Sequence, residues 1–82
     1  MDKKLIEGMR RMNQIVAWTT YGKDAIAVVN QGTPGEYTDN PTAKEYEAKG
    51  YKLRDANMFG QGDETGEILI FVKKEELHTW KF

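Results

Sequence analysis

The chain contains no cysteine and no serine, and it has a single histidine, His78, in 82 residues. Without cysteine there are no disulfides, no thiol nucleophile and no thiolate metal site, and the redox character of the compartment leaves no mark on the sequence. Without serine, a hydroxyl nucleophile has to be a threonine or a tyrosine. One imidazole is too few for a zinc site unless carboxylates or a second chain supply the remaining ligands. Long apolar runs are also missing. Nothing approaches the roughly 20 residues of a membrane-spanning helix. Asp2, Lys3 and Lys4 are followed by no more than Leu5-Ile6, far short of a signal-peptide core, so the expected location is the cytoplasm. Neither sign of charge dominates: twelve basic and thirteen acidic side chains give a net charge of -1. Bulk cationic attraction to nucleic acid or a lipid surface is therefore no part of the argument. No repeat or low-complexity tract is present.

What is present, 39% apolar and 30% charged residues, describes one small globular domain over 1–82 with a modest core. Leu5, Ile6, Met9 and Met12 fall on one helical stripe behind an Asp2 cap, which predicts a first helix ending at Asn13. From Gln14 to Asn30 the β-branched and aromatic residues around Gly22-Lys23 predict a hairpin that pairs Thr19 with Ile26 and Trp18 with Ala27. Both faces of that hairpin are apolar, so one needs a cover beyond the first helix, and a two-fold homodimer is the expectation.

Residues 31–40 read as an exposed loop. Pro41 opens a second helix with Asn40 as its N-cap, or Thr42 with Glu45 as a capping box, and Gly50 closes it. Residues 51–59 and 68–72 read as strands around a Gly-rich loop at 60–66, and residues 75–80 as a terminal turn docking Leu77 and Trp80. The expected fold is α+β in the order α-β-β-α-β-β, a four-stranded antiparallel sheet from two hairpins packed against helices.

Each chemical motif competes with a plainer reading. His78 is first a surface histidine and only then a ligand. Asp63, Glu64 and Glu67 are oxygen donors for a hard cation, but their order does not match an EF-hand loop, and a solvated hairpin tip accounts for them. Gly60 and Gly62 lack the lysine and hydroxyl of a phosphate loop, and the neighbouring acids would repel phosphate. No carboxylate pair is marked out for acid/base work. The expectation is a protein with no catalytic residues, no metal and no cofactor.

The remaining expectation is non-catalytic recognition: a small binding protein that blocks or bridges a larger macromolecule, of the inhibitor or accessory type that viruses and mobile elements encode. Its partner is expected to be a protein. The binding residues expected from loop chemistry are Tyr37, an aromatic in a polar loop, with Glu36 and Asp39 beside it, and Asp63 with Glu64 in the other loop. For Tyr37 the competing reading is a ring folded back on the sheet. A second reading is a ligand-sequestering protein that holds a nucleotide-like anion with Trp18, Tyr21, Lys52 and Arg54. A third is a single-stranded nucleic-acid binder that stacks bases on the same aromatics.

Overall fold

The first helix does not stop at Asn13. In the computed structural model, which describes residues 2–73, α1 runs from Lys3 to Tyr21 and ends where Gly22, at φ 107°, donates its N–H to the Trp18 carbonyl. Asp2 caps its start by accepting from the Lys4 N–H at 3.0 Å. The residues that read as a strand are helical because their β-branched members, Ile15, Val16, Thr19 and Thr20, all point outward, while Ile6, Gln14 and Ala17 form the buried stripe. Thr19 returns its hydroxyl to the Ile15 carbonyl, and Asn13 its amide to the Met9 carbonyl, so both side chains bond within the helix.

Four further elements follow: β1 (Ile26–Gln31), α2 (Pro41–Ala48), β2 (Tyr51–Gln61) and β3 (Glu64–Lys73). The expectation of a four-stranded sheet is therefore corrected. The sheet has three antiparallel strands in the order β1-β3-β2, and the 14–30 hairpin does not exist. Its first arm belongs to α1, so β1 pairs with β3 instead, Ile26 opposite Phe71 and Val29 opposite Ile68. The broad class remains α+β. The expected terminal turn at 75–80 lies outside the described residues.

Packing explains which apolar runs became strands. From Gly66 to Val72 every residue of β3 is buried, because the central strand is covered on both faces and so needs no polar alternation. On one face Ile68, Ile70 and Val72 pack with Ala17 of α1 and with Ala25 and Ala27. On the other, Leu69 and Phe71 pack with Val28 and with Ala43 of α2, and Tyr37, Tyr46 and Tyr51 close the edges. Asn40 caps α2 as expected, accepting from the N–H groups of Thr42 and Ala43.

Gly66 marks a close approach. A Cβ there would lie 2.5 Å from Phe59 Cζ and 2.9 Å from the Asn30 carbonyl oxygen. Gly66→Ala is expected to cost about 1–3 kcal/mol, the usual penalty of overpacking, measured as a lower urea midpoint at unchanged m-value. Unchanged stability would mean that the Phe59 ring does not cover this glycine in solution.

Candidate protein-interaction surfaces

Two loops distant in sequence meet at one end of the sheet. The Gly32 N–H donates to the Thr65 carbonyl at 2.8 Å, and the Thr65 hydroxyl donates to the Gly32 carbonyl at 3.0 Å. The loop after β1 is thereby stapled beside the β2–β3 hairpin tip. Buried Glu67 extends the staple: one carboxylate oxygen accepts from Gly35 N–H at 2.7 Å and from Asn30 Nδ2 at 2.9 Å. Asn40 brings the loop back, donating to the carbonyl of Val29 and to Oδ1 of Asn30.

Glu36 and Asp39 on the first loop and Asp63 in the turn are exposed; Glu64, expected in a loop at 60–66, is instead the exposed first residue of β3, paired with Gln61, because the strands extend to a two-residue turn at Gly62-Asp63. No basic residue occurs in 24–43 or in 55–72. Tyr37 is half-buried. Its ring stands edge-on to Phe71, centroids 6.4 Å apart at 77°, so it braces the loop against the core and presents only part of its surface outward.

The second set of expected residues is brought together only in part. Arg54 lies over the Tyr21 ring at 5.7 Å, which joins the end of α1 to β2 at the register shift between Leu53 and Asp55. Trp18 lines a shallow hollow of about 370 Å³ with Arg10, Arg11, Gln14 and Ile15. Lys52 is opposite Val72 on the exposed strand β2 and does not line that hollow.

Two features escaped the sequence reading. One is the outer face of α1, where Leu5, Met12, Ile15, Val16 and Trp18 keep 48–69% of their surface exposed. On the flank of this face, Met9 and Met12 line a small hollow of about 170 Å³ with Met58 and Phe59 of β2. Methionine surfaces of this kind adapt to the shape of what they meet. The signal was available in the 5-12-19 and 8-15 spacing, but it is legible only once the helix is known to reach Tyr21.

The other is the edge of β1 that faces away from β3. Gln14 donates to the Ala25 carbonyl at 2.7 Å and accepts from the Ala27 N–H at 3.0 Å, occupying the place of a further strand. Arg10 reaches the Ala27 carbonyl at 3.4 Å while its guanidinium forks onto Glu7 at 2.8 and 2.9 Å. Those two hydrogen bonds hold the exposed Glu7 carboxyl below its ordinary pKa.

Among the described residues no group of three histidine, cysteine or acidic side chains is placed to hold a metal ion, and no helix is long and apolar enough to cross a membrane. In comparison with known proteins, no family model matches the chain, and no curated protein or solved structure matches it.

Proposed function

We propose that the chain is a small non-catalytic binding protein whose acidic end covers a cationic surface on a larger macromolecule, most simply a protein. The observation that carries this reading is the pair of hydrogen bonds between Gly32 and Thr65, which holds the loop of Glu36 and Asp39 beside the β2–β3 turn of Asp63 and Glu64, the first residue of β3. Rigidity matters because loops held in place before binding lose less entropy when they bind. The buried acid beneath them, Glu67, holds the loop in place through Gly35 and Asn30. The ligand-sequestering alternative has less support: Arg54, the cation expected to hold an anion, lies on Tyr21, the ring expected to stack on it. An accessory or inhibitory role of viral or mobile-element type remains the setting that best suits so small a recognition domain.

Titration with an arginine-rich peptide, followed by amide NMR, tests the surface. The expected result is shifts confined to residues 32–40 and 61–66, weakening steeply as salt rises. Asp39→Lys combined with Asp63→Lys should abolish them, whereas Glu45→Lys on α2 should not. Tyr37→Phe keeps the ring against Phe71 and is expected to preserve the fold while reporting any contact made through the hydroxyl. Shifts spread over every acidic residue, or centred on α2, would overturn the assignment.

A further inference from the structure

We propose that the outer face of α1 pairs with α1 of a second copy of this chain, antiparallel, about a two-fold axis near Met12. The surface is independent of the acidic end and rests on different observations. The fold buries one stripe of α1, through Ile6, Gln14 and Ala17, and among the described residues leaves an opposite stripe exposed. That second stripe runs through Leu5, Gly8, Met12, Ile15 and Thr19, alternating steps of three and four residues, the repeat of a helix seam. Val16 and Trp18 widen it. At Gly8, where an added Cβ would meet nothing within 4 Å, the helix carries an open notch. An antiparallel partner centred on Met12 sets its Val16 against that notch and its Thr19 against Leu5.

Charge selects the direction. Every charged residue of α1 precedes Met12: Lys3, Lys4, Glu7, Arg10 and Arg11; none lies between Met12 and Tyr21. A parallel pair would set Lys4 on Lys4 and Arg11 on Arg11. An antiparallel pair lays the charged half of each helix along the neutral half of the other. It also resolves an oddity in the helix itself. The first turn carries two lysines and no acid, and the last turn carries no base, the reverse of what the helix dipole favours. Across the proposed axis, Lys3 and Lys4 lie alongside the carbonyl-rich last turn of the other helix, beyond which Lys23 accompanies Asp24 and Arg54 lies over Tyr21.

The area suffices for a reversible dimer. About half to two-thirds of five large side chains, at about 200 Å² each, is on the order of 500 Å² per copy. The pair would then bury at most roughly 1,000 Å², the size of weak, transient interfaces. Because Gln14 lies against Ala25 and Ala27, and Arg10 against Ala27, α1 runs antiparallel to β1, and its first turn points toward the Gly32 end. The two acidic ends of such a dimer therefore face opposite ways, as a bridging protein requires.

Sedimentation equilibrium of the full chain across the micromolar range tests the pairing. The expected result is a concentration-dependent rise from monomer to dimer mass, with Met12→Glu raising the dissociation constant at least about tenfold at unchanged circular dichroism. Since the chain has no cysteine, single thiols report the direction. Met12→Cys should crosslink to itself through a short bis-maleimide. Leu5→Cys should not, because its two thiols would be separated by about 21 Å along the axis. Leu5→Cys combined with Thr19→Cys should crosslink. A monomer at every concentration, a dimer indifferent to Met12→Glu, or self-crosslinking of Leu5→Cys would each overturn the proposal, and none of these results bears on the peptide titration of the acidic end.

Discussion

Truncating Phe71 to alanine should remove about 3–5 kcal/mol of stability, the largest loss expected from any single side chain here. Phe71 is fully buried in the central strand, where a cavity cannot collapse by moving an edge. Its neighbours are Val28, Leu69 and Ala43, with Tyr37 edge-on to its ring, so its removal takes support from β1, α2 and the 32–40 loop together. A domain of this size has a total stability of about 5–10 kcal/mol, so the variant should be mostly unfolded at a urea concentration where the native chain is folded. Met58→Ala, at a position 74% exposed, should change stability by no more than about 0.5 kcal/mol. Comparable midpoints for the two variants would mean that the α2 face of the sheet is not a packed core. The same experiment bears on the acidic end, because Tyr37 holds its loop through Phe71.

The elements legible in the sequence were those whose signals were local. Asn40 followed by Pro41 states a helix start in two adjacent residues, and the structure uses both as expected, with Asn40 accepting from two N–H groups. The run Ile68 to Val72 declared a strand, and the structure buries it on both faces. The 15–21 segment failed because its residue types favour a strand while its packing favours a helix. Of its seven residues only Ala17 is buried, so the inward stripe was too sparse to be seen, and the outward Ile15, Val16 and Trp18 supplied an apolar pattern that the monomer does not use. Local propensity lost there to tertiary contact. The expected hairpin turn at Gly22-Lys23 is not formed, although Gly22 does mark a break between elements. It ends a helix instead of turning a hairpin.

The candidate site divides along the same line. That Glu36, Asp39 and Asp63 sit in exposed connections was readable from turn chemistry alone, whereas Glu64 opens β3. That the two loops are adjacent was not, because adjacency follows from the pairing of Gln31 with Gly66, and the expected sheet carried no strand order. Glu67 illustrates the limit. In sequence it is one more acid at a loop margin, whereas in the fold it is buried and ties Asn30 and Gly35 to β3.

Replacing Gln14 with leucine should cost about 2–4 kcal/mol and change how the protein associates. Gln14 is 7% exposed, and its amide is matched on both sides: the NH₂ to the Ala25 carbonyl, the oxygen to the Ala27 N–H. Leucine has similar bulk but can satisfy neither backbone group, and each buried group left unpaired costs about 1–3 kcal/mol. The loss is not confined to stability. β1 is an edge strand, and an edge with unpaired N–H and C=O groups is a template for another chain. In the native chain Gln14 at Ala25 and Ala27, Arg10 at Ala27 and Asn40 at Val29 occupy that edge with side chains. Gln14→Leu should therefore form strand-paired oligomers that grow with concentration and show a β-sheet spectrum. Gln14→Glu separates the two consequences: its carboxylate still accepts from Ala27 but cannot donate to Ala25, and the charge opposes strand addition. It should be destabilised without oligomerising. Full stability in Gln14→Leu would show that the amide contributes nothing to holding α1 on β1, and destabilisation without new oligomers would leave Arg10 and Asn40 as sufficient guards of that edge.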